Sequence, residues 1–283
     1  MRMTASRLLC GVLLLCAGPA RAGMQDVQFF PEDNPIEGNL FAGIWDYSVG
    51  GDIATGGSRI TIDSDNGIKA NPQAQILLHY GFRNRWLPAL TAGYVHVGAA
   101  GQYLAPASFQ FGGIDIISGN TLILAGVNFN DYEIDADWRL FEWRDDQPDG
   151  RKRSILEIQP GFALKYLAGH ANVIGTTTIG VIGIPIDTIV QQERFAIDQP
   201  VPLLHGRVEF NPLPRLHFEL SGGYFAYQGS HAGELRAVGT FELWRSISLT
   251  AGYQEQLYKV KVDPYLLHAR LNGPTLGISL FRP

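Results

Sequence analysis

Cysteine is almost missing from this chain. Of 283 residues only Cys10 and Cys16 are cysteines, and from Gly23 onward there is none. That excludes a disulfide framework or a thiolate metal site in the bulk of the protein. Past the first residues there is also no apolar run of the ~20 residues that a helix needs to cross a bilayer. A basic excess is missing too: 22 Lys and Arg stand against 27 Asp and Glu, a formal charge of −5. A nucleic-acid-binding face is therefore not expected. Helical periodicity is scarce, whereas glycine is plentiful at 33 residues. The composition reads as all-β and as one domain.

The first 22 residues have the layout of a secretory leader. Arg2 and Arg7 make a basic start, Leu8 to Gly18 an apolar stretch, and Ala20-Arg21-Ala22 a small-residue cleavage site. A lipoprotein reading at Cys16 suffers from the bulky Leu15 before it. Cleavage after Ala22 removes three arginines and no acid, leaving 19 basic against 27 acidic residues, a charge of −8. The expected organisation is a leader over 1–22 and a barrel domain over 23–283.

Within that domain, strand-like alternation recurs about ten times. The segments are Asn39 to Tyr47, Asn71 to Arg83, Leu87 to Val97, "YEIDADWRLFEW" at 132–143, Ser154 to Tyr166, Val201 to Asn211, Leu216 to Tyr227, Glu234 to Trp244, a run from Ile247, and Leu267 to Phe281. Three irregularities stand out. Pro160 sits inside the fifth segment, the ninth loses phase near Glu255, and the tenth changes phase at Gly273-Pro274, where a bulge is expected.

Alternation of period two puts one row of side chains on each face. In 132–143 the rows are Tyr132, Ile134, Ala136, Trp138, Leu140 and Glu133, Asp135, Asp137, Arg139. A soluble sheet would turn the acids to water; a membrane barrel turns the apolar row to lipid and the acids inward. The connections favour the second. Every other one is compact (84–86, 144–153, 212–215, 245–246), while 48–70, 98–130 and 167–200 are long. Short periplasmic turns, long outer loops and an even strand number are the pattern of an outer-membrane barrel. The fold class expected is a single antiparallel up-and-down transmembrane β-barrel of about ten strands, in contact with outer-membrane lipid. Leu235 and Phe241 would then face lipid and Thr240 the lumen.

Such a lumen is narrow, and its row supplies Glu133, Asp135, Asp137, Arg139, Lys165, Arg207, Glu209, Arg236 and Glu242, with Gln75, His79, Glu157, His217 and Glu219. Ion pairing across it is expected to leave no open pore. Glu133, Asp135 and Asp137 have the spacing for a hard cation, but nearby Arg and Lys are the simpler partners; no metal or other cofactor is expected. His217, Glu219 and Ser221 put a base, an acid and a hydroxyl on one row, the ingredients of a hydrolase relay, yet strand neighbours two apart lie about 7 Å apart. "GGDIATGG" (Gly50 to Gly57) lacks the Gly-Lys-Ser/Thr of a phosphate loop and reads as a flexible outer loop. Trp86, Trp143 and Trp244 lie beside compact turns, as an interfacial girdle would.

Three stretches, "FAGIWDYSVGGDI" (Phe41 to Ile53), "VPLLHGRVEF" (Val201 to Phe210) and "LNGPTLGISLF" (Leu271 to Phe281), resemble a family of small outer-membrane β-barrel proteins of Gram-negative bacteria. The resemblance implies an outer-membrane location and no established activity or site residues. It also implies a closing strand read by the assembly machinery through Leu276, Ile278, Leu280 and Phe281. The terminal aromatic of such strands is replaced here by Arg282, followed by Pro283. The functional expectation is a non-enzymatic barrel with a structural or surface-interaction role and an unknown surface ligand. The alternatives are a narrow solute channel, an outer-membrane hydrolase or lipid-modifying enzyme, and a soluble periplasmic β-barrel binding protein.

Overall fold

A computed structural model describes residues 36–281 apart from 64–66, 83–85, 147–151, 182–183, 214, 228–229 and 245. The expected leader and Arg282-Pro283 lie outside the described residues. The strands are β1 (Ile36–Trp45), β2 (Ser48–Thr55), β3 (Ser58–Thr61), β4 (Lys69–Ala70), β5 (Gln73–Phe82), β6 (Ala89–Leu104), β7 (Phe109–Phe111), β8 (Ile114–Ile116), β9 (Thr121–Asp137), β10 (Phe141–Asp146), β11 (Lys152–Val181), β12 (Ile184–Leu213), β13 (Leu216–Tyr227), β14 (Ser230–Trp244), β15 (Ile247–Val262) and β16 (Tyr265–Phe281).

They close into an antiparallel barrel. β1 pairs β5, then β6, β9, β11, β12, β13, β14, β15 and β16 follow in order, and β16 returns to β1. β2 continues β1 along β16, and β10 continues β9 along β11, so the wall has ten staves. Apart from the excursions through β2–β4 and β7–β8, each stave pairs with the next one in the chain, which is the up-and-down order.

Pro160 stays inside β11 because its partner yields. A proline has no N–H to donate, and the facing strand is interrupted at Trp138–Leu140, whose N–H groups donate to the carbonyls of Pro160 (2.9 Å) and Ile158 (3.0 Å). The interruption shifts the outward row from Leu140 to Phe141 and Trp143, all exposed.

The other two irregularities are not breaks in the chain. β15 keeps its register with β14 through Glu255 and with β16 through Gly273-Pro274, so the bulge expected there is absent. Instead the chemistry of the two faces exchanges. In β16 the buried row runs Leu267, Ala269, Leu271, then Thr275 and Ser279, while Leu276 and Ile278 are exposed on the other face. β15 does the same, with buried Ser248, Thr250, Gln254 and Gln256 followed by Tyr258 and Val260.

The exchange divides the barrel into two zones. In the lower one the outward face is apolar, bounded by a row of abreast tyrosines (Tyr94, Tyr132, Tyr166) and, below, by exposed Trp86, Trp143 and Trp244. Ten residues separate Tyr166 from Leu156, which faces Trp143. At a strand tilt of 35–45° this rises about 25 Å, the height of a lipid-facing band. In the upper zone the inward face is apolar. Ile53, Ile60, Val97, Ile123, Phe129, Leu167 and Leu271 belong to one buried core.

The connections expected to be long loops are mostly strand. β2 and β3 take up most of 48–61, β9 begins at Thr121, and β11 and β12 run as a hairpin to Val181 and Ile184. Beyond Tyr166 the hairpin extends about 50 Å along the strand. Gly50 to Gly57 is likewise no flexible loop. It is a strand ending in a turn at Gly56 and Gly57, with φ of 56° and 91°. At Gly51, φ is 142° and an added Cβ would lie 1.9 Å from the His268 carbonyl oxygen, so only glycine fits there.

Candidate functional site

The lower lumen is crossed by side chains from opposite walls. Lys165 Nζ lies 2.7 Å from Glu234, 2.9 Å from Glu133 and 3.1 Å from Asp131. Asp131 accepts from Tyr258 Oη at 2.6 Å. Gln75 Nε2 donates to Gln254 Oε1 at 3.0 Å. Arg207 donates to Thr91 Oγ1 (2.8 Å) and His79 Nδ1 (2.7 Å), and lies 3.5 Å from Asp137 and 4.0 Å from Asp135. Asp137 also holds His205 Nδ1 at 2.8 Å. The cavity left between these groups is ≈ 30 Å³, space for about one or two waters.

Lower still, three glutamates stand abreast on neighbouring staves: Glu157 faces Glu209, and Glu209 faces Glu219. Glu157 has Arg139 at 2.8 Å, and Glu219 has Arg236 at 2.9 Å. Arg236 also lies over the Phe41 ring, 5.4 Å from its centroid. Glu209 has neither a hydrogen-bond nor an ion-pair partner among the described residues. One ligand atom each of Glu209, His217 and Glu219 lies within 4.8 Å of the other two. Glu242 stands apart from the network: its backbone N–H donates to the Arg215 carbonyl at 2.9 Å, while its side chain has no ion-pair partner among the described residues.

The three residues of the suggested relay do not form one. Ser221 Oγ donates to Glu219 at 3.2 Å, and His217 Nδ1 contacts Asn211 Oδ1, so base and hydroxyl point to different partners. Leu276, Ile278 and Leu280 take alternate positions on the outward face of β16, and Phe281 ends that strand opposite Asn39.

Above the polar lumen the apolar core closes the barrel. The hairpin β7–β8 is buried at the mouth through Phe111, Ile114 and Ile116. Glu193 anchors it, accepting from Gly113 N (2.8 Å) and from Tyr265 Oη (2.7 Å). Burial first, then the hydrogen bond to Glu193 and its charge, push the Tyr265 hydroxyl up to about 12. Tyr265 stacks on Phe195 with ring centroids 4.7 Å apart. The hairpin β13–β14 is short, and above it a cleft of ≈ 660 Å³ opens between β12 and β15, lined by Asp198, Pro200, Phe225, His231, Lys259 and Lys261. Partial burial, then Lys259 and His268, hold the His231 ring below its ordinary value.

The architecture has counterparts among solved structures. The chain is similar to the outer membrane protease OmpT from Escherichia coli, with TM-score 0.53 and 9% identity over 88% of this chain and 97% of that one. The fold is that of an outer-membrane β-barrel. Ail of Yersinia pestis (TM-score 0.32, 10% identity, 86% of this chain and 99% of that one) and a Pseudomonas aeruginosa FadL homologue (0.27, 11%, 88% and 90%) also align, too loosely to add to that. No protein-family model and no curated protein matches the sequence. At 9% identity the likeness to OmpT concerns fold alone.

From the sequence, Glu209 is expected to meet Arg207, Arg236 or His217; the structure brings it to His217, adds Glu219, and gives both arginines to other acids. The convergence of Glu209, His217 and Glu219 depends on the β12–β13 register, which shifts between Phe210 and Leu213.

Proposed function

We propose that the protein is a closed outer-membrane barrel that conducts no solute and serves surface interaction through its outer half. The observation that carries this reading is the apolar core across the upper lumen. A channel needs a wetted path, and here a polar, ion-paired floor is overlaid by packed Ile, Val, Leu and Phe side chains. What remains is a stiff β-structured body standing above the tyrosine row, with a cleft of ≈ 660 Å³ on its flank. Such a body suits contact with a surface ligand or partner better than transport. Export by a leader cleaved after Ala22 and insertion by the assembly machinery through the closing strand belong to the same proposal.

The test is reconstitution of the purified protein in planar bilayers. The reading expects heat-modifiable migration on gels, extraction only by detergent, and no stable conductance steps. Porin-sized steps would promote the channel reading, and release of native protein by osmotic shock would support a soluble periplasmic binder. N-terminal sequencing of the membrane form is expected to begin at Gly23.

A further inference from the structure

Glu209 is an anomaly within the lumen. Like charges placed directly opposite on neighbouring strands destabilise a sheet, and here three carboxylates are abreast. The two flanking ones each hold an arginine. The middle one is left facing His217 and Glu219 with one ligand atom of each within 4.8 Å.

His217 shows how the cluster is organised. Asn211 Nδ2 donates to the Ser154 carbonyl at 3.2 Å, which fixes the amide so that its Oδ1 faces the imidazole. Oδ1 can only accept, and it contacts Nδ1 of His217. The proton of the neutral ring is therefore on Nδ1, and Nε2 carries a bare lone pair. A histidine whose one nitrogen donates to a fixed carbonyl oxygen while the other is free is the arrangement found around metal-bound imidazoles.

We infer that Glu209, His217 and Glu219 form a binding site for a divalent transition-metal ion of the zinc class. One imidazole and two carboxylates form the donor set of such ions, whereas calcium and magnesium favour oxygen alone. A tetrahedral ion with bonds of about 2.0–2.1 Å keeps its ligands roughly 3.4 Å apart, so the side chains close by about an ångström to reach it. The fourth position falls to water. All three residues retain partial solvent exposure and lie near the Leu213–Leu216 pair that ends the β12–β13 ladder, so the ion enters from the end of the lumen opposite the apolar core. It adds a cation at the one glutamate of the three that has no ion pair among the described residues, beside the longer-range pull of Arg207 and Arg139. Arg139 and Arg236 remain with their own glutamates, and Asn211 is a positioning residue for His217.

The experiment uses the full chain folded in detergent, stripped with chelator, and titrated with Zn²⁺ by calorimetry and with Co²⁺ by visible absorption. One equivalent is expected to bind, with Co²⁺ giving the strong d–d bands of a low-coordinate site, and with millimolar Mg²⁺ or Ca²⁺ failing to displace it. Glu209→Gln and His217→Ala are each expected to weaken binding by at least about 100-fold, and Asn211→Ala by about 10- to 100-fold. Unboiled gel migration identifies variants that remain folded. The wild-type Co²⁺ spectrum is read independently of every variant. No saturable uptake by the wild type, or uptake undiminished in a folded Glu209→Gln or His217→Ala protein, overturns the site.

Discussion

Lys165 and Leu167 occupy successive positions on one inward row of β11, and both are fully buried. The first is surrounded by Asp131, Glu133 and Glu234, the second by an apolar core. Nothing in the backbone separates them: register with β9 and β12 runs straight through. What changes between them is the medium outside the wall. Where lipid covers the outer face, apolar side chains belong outside and the polar remainder is turned inward, to be satisfied by pairing. Where water covers it, the ordinary globular arrangement returns. One continuous stave therefore has two opposite hydrophobic faces along its length, and the crossing point marks the bilayer surface.

The sharpest way to break this comparison is to exchange chemistry across the crossing point. Lys165→Met strands three acids in the lumen and is expected to cost about 3–5 kcal/mol, as removal of one partner from a buried pair does. Leu167→Met, one step up, is expected to cost less than about 1.5 kcal/mol. Urea unfolding followed by gel shift reads both, and equal losses would show that Lys165 is not held by its acids.

Phe129, buried edge-on to Tyr258 with centroids 5.7 Å apart, tests the upper core. Phe129→Ala is expected to cost about 3–5 kcal/mol through the cavity it leaves, measured in the same way. A loss below 1 kcal/mol, by order of magnitude a surface effect, would mean that this zone is not packed.

On the outer face the ranking is set by depth. Phe162→Arg, in the middle of the apolar band, is expected to cost about 2–4 kcal/mol and to slow assembly. Ala196→Arg, outward but above the tyrosine row, is expected within about 0.5 kcal/mol of wild type. Leu235 and Phe241 lie nearer the band's edges, one opposite Glu255 and the other three residues from Trp244, so arginine there is expected to fall at the lower end. Thr240 is a poor lumen control, because it is packed in a hydroxyl chain with Thr250 (3.0 Å) and Ser279 (2.7 Å). A comparably small effect is expected for Arg270→Ala. Its 2.7 Å pair with Glu255 is exposed, and such pairs contribute about 0–1 kcal/mol. Denaturation midpoints that separate Arg270→Ala clearly from wild type would show that this surface is less solvated than the account holds.

Much of the lower zone was legible in the sequence. The strand number and the outward row of 132–143 follow from alternation and spacing; the compact turns expected at 84–86, 144–153, 212–215 and 245–246 fall in part outside the described residues. The upper zone is not, because its segments carry the apolar row inward, the reverse of the lipid-facing band below. Residues 121–130 carry Ile123, Ala125, Val127 and Phe129 inward with Leu122 and Leu124 opposite, so no single polar row marks a strand. In 167–200 the apolar row is simply on the other side. The apparent phase losses at Glu255 and Gly273-Pro274 were the visible trace of the exchange, read as defects of the chain. The meeting of Glu209 with His217 follows from their inward rows, whereas placing Glu219 directly opposite Glu209 needs the register of β12 against β13, which periodicity within one strand cannot supply.

The measurement that bears most directly on the crossing point is spin-label accessibility along the outward row of β15 in liposomes. Single cysteines are introduced at Leu249, Ala251, Tyr253, Glu255, Leu257 and Lys259 in the chain from Gly23, which has none of its own. Oxygen, which partitions into lipid, is expected to relax the labels from 249 to 253 most strongly, and a water-soluble nickel chelate those from 255 to 259. A changeover between 253 and 255 is the predicted result. Uniform nickel accessibility along the row, or oxygen dominance persisting to 259, would contradict the account.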